Sequence, residues 1–289
     1  MSKVFFLLLL AAFPVSVFTA RPLTFSENLD RLRKCGIAPR KKKIVSGLAT
    51  EVKAPWAIHS EVFVDGQTGY AYTGVLISSW HAVISHYGVV RGLNNEAGWL
   101  KPGTSQLMSA AEVERNCQGG VMELDVGDRV YLKVWHGSQP MNIYVAKAWY
   151  LGHCDASKPP DGVILVEYKN TLAETPVCLP TAQNVFSDGY IEKGAKLRVQ
   201  SIRRYNGRRD QVTVAVVECE NGEPDGTLCT TSGVDYSDFG APLTTLVGNR
   251  VTAFAILHQV YQEANLPPAY LSIRDYMSRI CRLAGVCQA

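Results

Sequence analysis

The run Tyr236-Ser237-Asp238-Phe239-Gly240-Ala241-Pro242-Leu243 sets a hydroxyl, a carboxylate and a phenyl ring side by side. A serine hydroxyl attacks a carbonyl once a base takes its proton. A phenyl ring has no proton to give up and no lone pair, so Phe239 supplies no nucleophile. Further back, Arg40-Lys41-Lys42-Lys43 precedes Ile44 and forms a site for a protease that cuts after basic residues. Eight cysteines, Cys35, Cys117, Cys154, Cys178, Cys219, Cys229, Cys281 and Cys287, follow an apolar leader. An even count in a secreted chain implies four disulfides, with about a hundred connectivities open. Neither Cys-x-x-Cys nor His-Glu-x-x-His spacing occurs, so no zinc and no other cofactor is expected.

The elements that must position these residues come next. Met1-Ser2-Lys3, an apolar run from Val4 to Phe13 and the small Ala20 read as a signal peptide over residues 1–20. That run is too short for a membrane helix, and nothing later is apolar enough for one. The protein is therefore expected outside the cell. Residues 21–43 read as a propeptide in which Ser26 to Lys34 forms at most a turn or two of helix. The net charge is +3, with most of the excess crowded before Ile44, which is not the balance of a nucleic-acid binder. At 47% hydrophobic, the chain can bury a full core.

From Ile44 onward short apolar runs alternate with turn residues. Strands are expected at Glu61–Val64, Ala71–Ser78, Arg129–Trp135, Asn142–Tyr150, Gly162–Tyr168, Lys196–Tyr205, Gln211–Cys219 and Arg250–Gln259. Asn206-Gly207 marks a hairpin. Ile273 to Leu283 is apolar at helical spacing and reads as a terminal helix. Many strands and one final helix indicate an all-β barrel or sandwich.

Several segments share their order with a known family. Ile44-Val45-Ser46-Gly47, Ala54-Pro55-Trp56, Gly74-Val75-Leu76-Ile77-Ser78 with Ser85-His86, Asp161-Gly162-Val163-Ile164-Leu165, Val177-Cys178-Leu179-Pro180, the run around Phe239 and Pro268-Ala269-Tyr270 resemble trypsin/chymotrypsin-like serine proteases. The resemblance covers about residue 35 to the end. It implies two six-stranded antiparallel β-barrels with a C-terminal helix, and a protease domain over residues 44–289.

In that family a serine attacks, a histidine takes its proton and an aspartate holds the imidazole. Carried over, His86 is the base and Asp161 its partner, both kept as a hydrogen-bonded structural pair. Phe239 stands at the nucleophile position. Ser237, Asp238 and Phe239 form the oxyanion loop, with Ser237 at the glycine whose N–H helps build the hole. Losing the nucleophile costs on the order of a millionfold in turnover. Gly233, at the base of the specificity pocket, replaces an aspartate that would bind Lys or Arg. Leu257-His258-Gln259 fall on the strand that pairs with substrate, and Gln259 narrows the pocket mouth.

The resemblance also implies cleavage between Lys43 and Ile44, with the new amino group pairing with Asp238. It implies Cys35–Cys178, tethering residues 21–43 to the domain, and Cys219–Cys229; Cys117–Cys154 and Cys281–Cys287 are reached only by elimination. Tyr72 and Tyr87 stand at or near the cysteines of a bridge beside the catalytic histidine. The implied function is that of a secreted, catalytically inactive homologue that binds proteases or their substrates in a proteolytic cascade. The alternatives are an active serine endopeptidase, using Ser237 or Ser232, and an anionic-glycan binder working through Arg203, Arg204, Arg208 and Arg209.

Overall fold

The computed structural model describes residues 21–37, 54–91, 98–136, 139–181, 191–202, 209–219, 226–261 and 266–288. The expected signal peptide over 1–20, the cleavage site at Lys43 and Ile44, and Arg203, Arg204 and Arg208 lie outside them, as does the side chain of Ser237.

Helix α1, Phe25–Lys34, opens the described chain. It is longer and better defined than its polar composition leads one to expect. Thr24 accepts from the Glu27 N–H, and the Glu27 carboxylate accepts from the Thr24 N–H at 2.7 Å. This reciprocal capping box satisfies backbone donors that the first turn leaves open.

The first barrel is built from β1 (Ala57–Val64), β2 (Gln67–Leu76), β3 (His81–Ser85), β6 (Val130–His136), β7 (Gln139–Leu151) and β8 (Val163–Tyr168). Every pairing is antiparallel, and β7 meets both β6 and β8 to close the ring. The 13 residues of β7 also carry β5 (Val121–Leu124), which pairs with the short β4 (Cys117–Gln118) behind helix α2 (Ala110–Asn116). The second barrel closes in the order β10 (Arg209–Val217), β11 (Thr227–Thr230), β14 (Ala269–Ser272), β13 (Arg250–Gln259), β12 (Pro242–Val247), β9 (Lys196–Ile202). Helix α3, Met277–Ala284, follows a tight 3-10 turn over Ile273–Tyr276 and ends at Gly285, whose φ of 65° suits a residue without a Cβ. Two closed six-stranded antiparallel barrels with a C-terminal helix are therefore the fold.

The expected strands all appear within a few residues of their positions. β3, β4, β5, β11, β12 and β14 were not anticipated. β3 has only Ala82, Val83 and Ile84 between polar ends, too short a run to show a period. All five of its residues are nonetheless buried.

Four disulfides close the structure: Cys35–Cys178, Cys117–Cys154, Cys219–Cys229 and Cys281–Cys287. Cys35–Cys178 ties the end of α1 to the segment after β8. The strap is also held by hydrogen bonds. Leu23 N–H donates to Ala284 O (2.9 Å), Gly36 N–H to Pro176 O (2.8 Å), and Val251 N–H to Gly36 O (3.0 Å). Asn28 Nδ2 and Arg31 Nη2 both donate to the Cys287 carbonyl, at 3.0 and 2.8 Å. Residues 21–37 are thus part of the folded body, docked against α3 and the loop that Cys281–Cys287 closes.

Candidate functional site

The barrels meet through a few polar ties. Trp56 Nε1 on the edge of barrel one donates to Gln200 Oε1 at 2.6 Å, and the Ile202 N–H donates to Thr73 Oγ1 at 3.1 Å. Gly240 joins them by close approach. A Cβ there would lie 2.1 Å from the Thr73 carbonyl oxygen, and its φ is 78°. Both facts require glycine at 240.

The loop before Gly240 is a 3-10 turn over Tyr236–Asp238. Asp238 Oδ2 accepts from the Asp235 N–H at 3.0 Å, and the Ala241 N–H donates back to Asp238 O at 2.8 Å. The Phe239 N–H points at Tyr236 O, 3.5 Å away. Gly240 N–H donates to Leu257 O and Leu257 N–H to Ala241 O, both at 2.9 Å, so the loop is stitched to β13. The Phe239 side chain is 1% exposed. Its ring stacks on Tyr87, with centroids 4.5 Å apart and planes 16° from parallel. Tyr72 meets it edge-on at 5.7 Å, and Tyr236 lies 5.6 Å away. Tyr72 and Tyr87 are barrel-one residues, yet they pack with Phe239 into the apolar core of barrel two. Each such ring pair contributes about 0.5–1.5 kcal/mol beyond its buried area.

His86 follows β3 and is 1% exposed. Its ring lies 4.5 Å from Tyr87 and 5.0 Å from His258, which β13 supplies from the other barrel. His86 Nε2 and His258 Nδ1 are buried with no hydrogen-bond partner. Burial above all holds the His86 pKa well below its usual value; His258 and Arg91 push it the same way, and a hydrogen bond to the Gly162 backbone opposes them. His258 is lowered to about 3 by burial, then by Arg91. Both imidazoles are neutral at pH 7. The Arg91 guanidinium sits 5.0 Å from the centroid of the Tyr87 ring, over its face.

Asp161 has a different partner from the expected one. The Tyr150 hydroxyl donates to Asp161 Oδ1 at 3.3 Å and accepts from the Asp161 N–H at 3.1 Å. No hydrogen bond joins His86 to Asp161 among the described residues. The carboxylate instead borders a cavity of about 300 Å³ shared with His153, Asp275, Tyr276 and Arg279. On the substrate side, Leu257 is 1% and His258 5% exposed, and Gln259 is half-buried. Gly233 is exposed with φ 131°, and an added Cβ would touch only Val212, at 3.3 Å. The structure therefore gathers His86, Phe239, His258 and Leu257 into one packed cluster and leaves Asp161 and Gly233 outside it. Sequence reasoning missed the roles of Tyr150, Arg91 and His258. Arg91 carried no signal of its own, since Tyr87 to Arg91 is a turn, where a four-residue spacing sets no common face.

Among the described residues no group of three or more His, Cys, Asp or Glu is placed to hold a metal. No described helix is long and apolar enough to cross a membrane. No curated protein matches the chain. The model of one family, described as the nematode trypsin-6-like family, matches residues 4–287. A match of that length on a chain that folds into two six-stranded barrels shows that it belongs to the nematode trypsin-6-like family.

Proposed function

We propose that this protein is a secreted, catalytically inactive relative of the trypsin-like proteases that acts by binding. The observation that carries the reading is the aromatic plug. Phe239, at the position of the nucleophile, is stacked on Tyr87 beside a histidine that is itself 1% exposed. A proton acceptor must come within hydrogen-bond reach of the proton that it takes. His86 Nε2 has no such donor near it. The N–H of Phe239, which would help to stabilise an oxyanion, faces Tyr236 O. Four disulfides accord with an oxidising, extracellular setting. In the same reading residues 1–20 are a signal peptide, and cleavage between Lys43 and Ile44 leaves residues 21–43 attached through Cys35–Cys178. The partners are then proteases or their substrates in a proteolytic cascade.

A fluorophosphonate probe applied before and after cleavage at Lys43 tests this. No covalent adduct is expected. An adduct on Ser232 or Ser237 would make the protein an active endopeptidase instead. Phe239→Ser is the companion variant. It is expected to remain unlabelled, because a serine alone does not expose His86 or bring Asp161 to it. The glycan alternative rests on Arg203, Arg204, Arg208 and Arg209, and neutralising all four checks it by heparin retention.

A further inference from the structure

His86 and His258 face each other across the seam between the barrels, with ring centroids 5.0 Å apart. Neither stands inside a regular ladder. His86 lies just past the end of β3, and the Val89 and Val90 N–H groups fold back onto its carbonyl. His258 sits at a bulge. β13 pairs Leu257 with Tyr270 and Gln259 with Ala269, and the register passes over His258. A bulge re-aims the side chain that it carries. The segment that covers the pair is held more by packing than by hydrogen bonds. The Phe239 N–H is 3.5 Å from its acceptor, and Tyr236 beside it is 43% exposed.

The charges around the pair all have one sign. From the turn after β3 comes Arg91, which acts on both imidazoles; from β13 comes His258, which acts on His86. β2 supplies Tyr72, a neutral phenol whose pKa burial raises. The segment before β8 offers His86 only the Gly162 backbone, because the Asp161 carboxylate is turned to Tyr150. On the loop before Gly240, Asp238 Oδ2 holds the Asp235 N–H. Among the described residues no carboxylate acts on either ring. Two imidazoles and a guanidinium therefore share a buried seam with no anion to balance added positive charge.

We propose that this seam is an acid-operated switch: below about pH 6 both imidazoles take up protons, the like charges part, and the loop carrying Phe239 lifts away from His86 while both barrels stay folded. Opening uncovers the Phe239 and Tyr87 rings, so the surface that a partner meets differs between neutral and acid surroundings. The switch does not depend on whether the protein is inactive. An imidazole that protonates only in the open form raises the open population about thirtyfold between pH 7.5 and 5.0, and two raise it about a thousandfold.

Amide hydrogen exchange of the full chain from pH 7.5 to 5.0, corrected for the intrinsic pH dependence of exchange, tests the proposal. Peptides covering residues 85–91, 236–241 and 257–259 are expected to open by about that thousandfold factor, while β8 and β9 stay protected. Below about pH 6 the opening should take up close to two protons. His86→Gln and His258→Gln should each leave about a thirtyfold rise, and the double variant none. The wild-type proton count decides where a variant does not fold. The proposal is overturned by corrected exchange that stays flat in these segments, by an uptake of one proton or fewer, by a rise that survives in the double variant, or by β8 and β9 opening in the same step.

Discussion

The two ends of β3 differ in how tightly they are packed. At the His86 end two imidazoles are neutral, the neighbouring rings interlock across both barrels, and Phe239 is packed among them. At the Trp80 end a guanidinium and a carboxyl oxygen are buried without partners beside a cavity of about 490 Å³. Buried nitrogens go unpartnered at both ends, His86 Nε2, His258 Nδ1 and Arg91 Nε at one and Arg31 Nη1 at the other; what differs is that rings fill the first and a cavity borders the second. The difference teaches that dense packing at one end of a short strand need not extend to the other.

The largest expected effect breaks the open end. Replacing Cys35 and Cys178 together by serine removes a link across a sequence separation of 143. The chain-entropy view gives a loss of about 5 kcal/mol, to be read from the midpoint of chemical denaturation. With the strap released, Arg31 reaches water and the contrast between the two ends disappears. The next effect breaks the closed end. Phe239→Ala removes a buried phenyl from three aromatic neighbours and is expected to cost about 4 kcal/mol. Phe25→Ala is the matched control. That ring is 80% exposed, so the change should stay within about 0.5 kcal/mol.

Acid sharpens the comparison. His86 and His258 have native pKa values below that of a free imidazole, so the unfolded chain binds more protons. Their contribution is present above about pH 6.5 and is lost as pH falls below it. Between pH 7.5 and 5.5 the two together are expected to cost roughly 3 kcal/mol. His81, lowered to about 3 by burial at the other end of β3, loses stability with the same sign. A His86→Gln/His258→Gln variant should therefore flatten about two-thirds of this slope, judged by denaturation midpoints at the two pH values. An unchanged slope would remove the imidazole pair from the account. The smallest effect concerns the strap alone. Thr24→Ala removes the reciprocal cap of α1 and should cost about 1 kcal/mol. Amide exchange should rise in the first turn of α1 and stay constant in β13.

Much of the fold was legible in the sequence because barrel strands and the final helix carry their own periodicity. The family-like segments supplied the pairing that periodicity lacks. The candidate site was legible only as separate departures. Phe239, Tyr72 and Tyr87 each look like an isolated change when read along the chain. In space they are one cluster, in which rings from barrel one complete the core of barrel two around Phe239. No local pattern encodes that, since contact across barrels depends on how both sheets curl. The partner of Asp161 is local by contrast: Tyr150 is next to last in β7 and Asp161 precedes β8, and the register that sets Tyr150 opposite Ile164 brings the hydroxyl to the carboxylate across one connection. The helix of the strap failed differently. Thr24 and Glu27 are a readable cap, but the stability of α1 comes from Cys287 and Ala284 at the far end of the chain.

That last contact has a consequence in time. The Cys287 carbonyl, which receives Asn28 and Arg31, lies 259 and 256 residues along the chain from them. Contacts of such sequence separation form slowly. The Cys35–Cys178 bridge and the Gly36–Pro176 hydrogen bond tie the other end of the same strap to the middle of the chain. The strap is therefore expected to dock in two steps, its Cys35 end first.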